Sequence, residues 1–356
     1  MGTSGYACHG RNLAQALIQE GVDLGVEPLD YDPAHAAVLP QPVKDAMAKN
    51  HHFEATVGNI LPPYFPIKTS DKLPAFYGYV VFEGTKMQPD WVRAINSEGV
   101  TGVIVPSKHV EDACKNSGVT KPISIVPHGY DPKIFHQDVK PNPELRPDTF
   151  KFLYVGGWKD GVRDRKGLDL VLRAYSQEFK KEEKVTFYAK INSAYQDPQT
   201  VMNNVKQLDL PKATERPEIV LLFNTVTDDV LAQTYKCADV LVAPSKAEAF
   251  NMPVLEAMAC GVPAITTNYG GQLDYVNNEN GYLLDVEGMA PATGERHIYE
   301  AAEWAVPSVA HLRKLMRHCF ENREELKAKG AKAVEDVKGF TWSDSAKKLI
   351  QAVDHA

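Results

Sequence analysis

DVLVAPSKAEAFNMPVLEAMACG, residues Asp239 to Gly261, is the stretch on which the reading of this chain turns. Asp239 to Ala243 is an apolar run of the kind buried in a parallel sheet. Pro244 to Met252 then makes the loop at its carboxyl end, where ligands collect in open α/β sheets. Pro253 has no N–H to lose in the first turn of a helix, and Gly261 suits the stop. Glu248 therefore falls on the loop and Glu256 in the first turn of the helix. Two carboxylates so placed could reach different parts of one elongated ligand whose phosphate sits at the free helix amides. Spacing alone is weak, because a chain this acidic supplies on the order of one such pair by chance. Their ordinary readings are a solvated loop carboxylate for Glu248 and a dipole-complementing glutamate for Glu256.

Outward from this segment the second half alternates strand and helix from Phe150 onward. The order is strand FKFLYVGG, helix GLDLVLRAYSQEF, strands KVTFYAKI and EIVLLFN, helix DDVLAQTYKC, strand DVLVAP, helix PVLEAMAC and strand PAITT. That succession is a complete doubly wound domain, expected over 149–339. From about Ile298 to the end the apolar spacing predicts helices, with 340–356 a C-terminal helix able to cross back to the first domain. KPNPELRPD, residues 140 to 148, is rich in proline and charge and marks a linker. Residues 1–140 show a shorter alternation. It has a helix over Asn12 to Glu20 and strands over Val22 to Leu29, Phe53 to Ile60, Phe76 to Phe82, Gly102 to Val105 and Ile123 to Val126. The glycine-rich turn Gly2-Thr3-Ser4-Gly5 starts at the initiator methionine, so the first strand that normally precedes such a turn is not expected in this sequence: either the chain is truncated or mis-started upstream, or another segment fills its place.

Composition excludes several classes. The chain has 356 residues, 44% of them apolar, enough for two domains with ordinary cores. A formal charge of −7 argues against nucleic acid, whose phosphates demand a basic face. Five scattered cysteines, Cys8, Cys114, Cys237, Cys260 and Cys319, lack metal spacing and read as reduced, mostly buried thiols of a cytoplasmic protein. No apolar run reaches membrane-spanning length. Asp30-Tyr31-Asp32 has the form of a metal-binding pair, but Pro33 follows at once and turn carboxylates are the better reading. No metal and no cofactor are expected.

The quoted stretch resembles the signature of retaining glycosyltransferases of the GT-B fold, family four (glycosyl transferases group 1). The matching pattern is Glu248-Ala249-Phe250-Asn251-Met252-Pro253-Val254-Leu255-Glu256. LYVGGW with RKGLDLVLRAY, GVPAITTNYGGQLDYV, NGYLL, and VPS and VPHGYD in the first half follow in the family's order. The resemblance implies two facing Rossmann-like domains, an acceptor side first and a nucleotide-sugar side second. Glu248 and Lys166 are then catalytic, Glu248 near the reacting sugar and Lys166 on the diphosphate. Glu256 holds the ribose, and the turn Phe250, Asn251, Met252 approaches sugar and diphosphate. The family's arginine is replaced by Gly157 and Trp158; Lys159, Arg163 or Arg165 could substitute, and Arg165 is favoured. Gly5 resembles the acceptor-facing loop, and Glu83 occupies the place where relatives contact the sugar with a histidine. His128 reads as a hinge residue.

The expected function is metal-independent transfer of a hexose, with retention, from a nucleoside diphosphate to the hydroxyl of a glycan or other small acceptor. The partners are the donor and a soluble acceptor, with no nucleic acid and no integral membrane contact. The alternative is a catalytically impaired sugar-nucleotide binder with an incomplete first domain; a GT-B-shaped epimerase stands third.

Overall fold

The computed structural model describes residues 5–28, 39–49, 53–65, 75–142, 145, 148–192 and 197–354. The chain divides into two compact units. One comprises Met1–Phe82, Lys86–Gly129 and Phe340–Ala356; the other comprises Glu83–Thr85 and Tyr130–Gly339. The change of unit thus falls at Gly129, ahead of the proline-rich 140–148 stretch, and the last helix groups with the first unit.

In the first unit, α1 (Gly5–Gln19) and α2 (Gln41–Met47) precede β1 (Ala55–Gly58), β2 (Ala75–Tyr79), α3 (Pro89–Ile95), β3 (Gly102–Val105), α4 (Lys108–Ser117) and β4 (Ile123–Ile125). The four strands lie parallel in chain order. Local chemistry sets the helix ends. Ser107 Oγ accepts from the Val110 amide at the start of α4, and Gly118 closes that helix in the left-handed region. The strand expected at 22–29 does not form over its described residues, 22–28. Instead the Val26 amide donates to Ala46 O in α2, 3.1 Å away, so it has no place in a ladder.

The second unit runs β5 (Phe150–Gly156), α5 (Leu168–Glu178), β6 (Val185–Ile191), α6 (Pro198–Gln207), β7 (Glu218–Leu222), α7 (Asp228–Cys237), β8 (Val240–Ala243), α8 (Met252–Ala259), β9 (Ala264–Thr267) and β10 (Tyr282–Leu284). β11 (Val286–Pro291), α9 (Arg296–Tyr299), β12 (Glu303–Pro307), α10 (Val309–Glu321) and α11 (Arg323–Asp336) follow, and α12 (Trp342–Asp354) closes the chain in the first unit. α12 packs on α1.

The main sheet of the second unit is parallel, in the order β10-β9-β8-β5-β6-β7. β5 and β6 are almost wholly buried, which is why they read as near-continuous apolar runs. Phe150, Phe152, Phe179 and Phe187 gather with Tyr175 on one face, each burial contributing about 1.5–3 kcal/mol. Strand order reverses between β5 and β8, so the loops leaving those two strands flank the crevice where such sheets take ligands.

Two features depart from the sequence reading. Asp197 caps an unanticipated helix, α6, by accepting from the Thr200 amide. The tail is not purely helical either: β12 pairs antiparallel with β11, through Trp304 and Ala305 on the inner side, before α10 begins.

Candidate functional site

The loop after β5 is built to present two cations. Trp158, where the family's arginine is missing, is fully buried and donates Nε1–H to Gly161 O at 2.8 Å. Asp164 then staples the loop. One carboxylate oxygen accepts from the Lys159 and Asp160 amides, at 2.6 and 3.3 Å, and the other from the Lys166 amide at 2.7 Å. Gly167 has φ 71°, and a Cβ there would lie 2.5 Å from Pro244 O, so only glycine lets this loop lie against the one leaving β8.

Those two loops meet at Glu248. Lys166 Nζ donates to Glu248 Oε1 at 2.7 Å and Arg165 Nη1 to Glu248 Oε2 at 2.9 Å. Arg165 Nη1 also reaches Ala247 O at 2.6 Å, and its Nη2 lies 3.1 Å from Glu83 Oε1. Glu248 is 4% exposed. Burial by itself would raise its carboxyl, but Lys166 and Arg165 outweigh that and hold it down at about 2. Of the three basic residues open as partner to Lys166, Arg165 is the one that reaches Glu248; Lys159 pairs with exposed Glu295 instead.

The turn beyond Glu248 is fixed by contacts that the motif did not reveal. The Tyr275 hydroxyl bonds both Phe250 O and Asn251 O at 2.8 Å, and its ring packs on Phe250. Asn251 takes φ 73° and ψ 64° as the cap of α8, and its Nδ2 is buried without a partner in the protein. A buried donor left unpaired is costly, which suits a group aimed at a ligand. Gly270, at φ 114°, lets the 268–272 loop lie on the Glu248 backbone, and the Gly271 amide donates to Glu248 O. Met252, half-buried, opens α8.

Glu256 lies in the second turn of α8 rather than the first, because the helix starts at Met252. A dipole-complementing role is thereby removed. It is half-buried against α7, where Tyr235 donates its hydroxyl at 2.9 Å. Burial and then negative Asp228 push its carboxyl up to about 8, against the pull of the tyrosine.

The structure brings Glu248, Lys166, Arg165 and Glu83 into one ionic cluster and leaves Glu256 on its own partner. Gly5 opens α1, exposed, in the first unit; Gly2 to Ser4, and Asp30-Tyr31-Asp32, lie outside the described residues. His128 is buried; its ring stacks with that of Trp342 and lies tilted against that of His9, centroids 4.4 Å apart. Among the described residues no group of three or more His, Cys, Asp or Glu is placed to hold a metal, and no helix is long and apolar enough to cross a membrane. Sequence reasoning missed Asp164 and Tyr275. Asp164 carried no signal, whereas Tyr275 stands in the GGQLDYV match.

Comparison with known proteins bears on the fold and on the second unit. A family model described as glycosyl transferases group 1 matches residues 149–296. The D-inositol 3-phosphate glycosyltransferase of Nocardia farcinica is 30% identical over 126 residues, covering 35% of this chain and 24% of that protein. The chain's matches span less than half the length of its first curated relatives. In structure, sucrose-phosphate synthase from Thermosynechococcus elongatus superposes with a TM-score of 0.67 at 19% identity, over 99% of this chain and 93% of that one. Anabaena HepE, solved in complex with UDP-glucose, gives 0.58 at 17% identity, over 80% and 73%.

Proposed function

We propose that this chain, whose residues 149–296 match the glycosyl transferases group 1 family model and which has the GT-B fold, transfers a hexose from a nucleoside-diphosphate sugar to the hydroxyl of a glycan or other small acceptor. The transfer proceeds with retention and without a metal. One observation carries the reading: at the strand-order reversal, Arg165 and Lys166 from the loop after β5 converge on buried Glu248 from the loop after β8.

When the bond from sugar to diphosphate breaks, negative charge develops on the leaving oxygens and the sugar becomes oxocarbenium-like. Lys166, Arg165 and the free amides at the start of α8 supply fixed positive charge where it is needed, so a metal has no task left to perform. Glu248, held ionised by its two cations, lies beside the electron-poor sugar. The departing phosphate takes the acceptor's proton. Glu256 accepts from the ribose hydroxyls. Retention rests on the resemblance of the Glu248–Glu256 segment to retaining enzymes. The buried Cys114, Cys260 and Cys319 suit a reducing, cytoplasmic setting.

The test is a panel of UDP-, GDP- and ADP-hexoses, screened first for thermal stabilisation and then for transfer. Proton NMR would follow the anomeric configuration of the product. The expected result is a product with the donor's configuration and a rate indifferent to EDTA. Inverted product, or loss of rate with EDTA, would overturn the mechanism. Stabilisation by a donor with no turnover on any acceptor tried would favour the impaired binder.

A further inference from the structure

Glu83 is held more firmly than a loop carboxylate needs to be. Its backbone oxygen accepts from Trp304 Nε1 at 2.8 Å, and its Oε2 from the Tyr299 hydroxyl at 2.7 Å. Two residues on, Thr85 Oγ1 accepts from the Glu303 amide at 2.9 Å. All three anchors come from the β11–α9–β12 segment, where the Tyr299 and Trp304 rings meet edge to face.

That segment is itself tied to both loops of the site. The Ala305 amide donates to Lys246 O at 2.9 Å, and Thr293 Oγ1 donates to Arg163 O at 2.7 Å. The effect is to deliver the Glu83 carboxylate to Arg165 Nη2.

Arg165 is thereby shared between two carboxylates. Together with Lys166, Glu83 and Glu248, the cluster holds two cations and two anions and is formally neutral. A diphosphate gains little from such a cluster unless one carboxylate yields. Glu248 is almost fully buried and bonded to both cations, whereas Glu83 is more exposed and is paired with one cation, Arg165, its other oxygen accepting from the neutral Tyr299 hydroxyl, so Glu83 is the one that yields.

Resting on the donor-site reading above, we propose that Glu83 competes with the donor's diphosphate for Arg165. The β11–β12 hairpin fixes that competition and so sets donor affinity. Displaced, the carboxylate leaves the cluster with one net positive charge facing the phosphates.

The experiment is calorimetric titration of wild type, Glu83→Gln and Tyr299→Phe with UDP, GDP and ADP. Glu83→Gln keeps the shape and removes the charge, and should bind the recognised diphosphate about tenfold more tightly. Its affinity should also fall more steeply with added salt. Tyr299→Phe, which loosens the carboxylate without removing it, should shift affinity the same way by less; it carries the test if Glu83→Gln melts well below wild type. Equal or weaker binding by both variants, with wild type binding normally, overturns this proposal alone. No diphosphate bound by any of the three overturns the donor-site reading and this proposal with it.

Discussion

Lys166→Ala is expected to lower kcat/KM for sugar transfer on the order of a thousandfold, the scale of removing a fixed charge from a developing anion in a water-poor site. Lys166 and Arg165 both engage Glu248, at 2.7 and 2.9 Å, but Arg165 is also committed to Glu83 and to Ala247 O. Lys166 is therefore the cation most able to turn toward a leaving phosphate. Its loss also strips one of two cations from a buried carboxylate, at a cost of about 3–5 kcal/mol. Thermal melting must accompany the kinetics to separate that cost from catalysis. Lys166→Arg keeps the charge and should recover part of the rate. A folded Lys166→Ala variant within threefold of wild type would remove Lys166 from the mechanism.

The second large effect concerns Glu256 and carries a sign in pH. Its carboxyl sits at about 8 in this structure, against 4.5 for an ordinary glutamate. A folded-state value raised in this way favours the protonated form. The contribution to stability is complete below about pH 4.5 and is lost as pH rises through 8. Solvent access to a half-buried side chain limits that loss to about 1–2 kcal/mol. Ribose hydroxyls donate to the ionised carboxylate, so donor binding favours the deprotonated form. Affinity for the sugar nucleotide, whose diphosphate does not titrate here, should rise between pH 6 and 8 and then level.

Glu256→Gln cannot ionise. It should weaken binding roughly 10- to 100-fold at pH 8, flatten the pH profile, and make the protein without nucleotide more stable than wild type at that pH. Calorimetry and melting at pH 6, 7 and 8 read all three. A profile in the variant as steep as wild type would show that the titrating group lies elsewhere.

How much of this was legible in the sequence follows from where its signals come. Buried parallel strands announce themselves, so β5, β6, β8 and β9 were placed from apolar runs, and Pro253 with Gly261 marked α8. Glu248 was found through the motif; its 4% exposure and two cations were not readable, since they depend on a loop 82 residues earlier in the chain. Pro253 in a first turn predicts Glu256 in that turn as well; the helix instead starts at Met252, which carries Glu256 past the free amides into the second turn. The β11–β12 hairpin was hidden among helical tail residues. Its pairing is non-local, and its task, holding Glu83, is performed on a segment more than 200 residues away. Asp164 shows the same limit, because three amides converging on one carboxylate leave no periodic trace.

The central claim is that one nucleoside diphosphate spans the loops after β5 and β8, and a crystal structure with the diphosphate that most stabilises the protein tests it most directly. The account predicts the terminal phosphate within hydrogen-bonding reach of Lys166 and Arg165, close to the start of α8, and the ribose hydroxyls on Glu256. A nucleotide bound away from the strand-order reversal, or one whose ribose leaves Glu256 on Tyr235 alone, would contradict it.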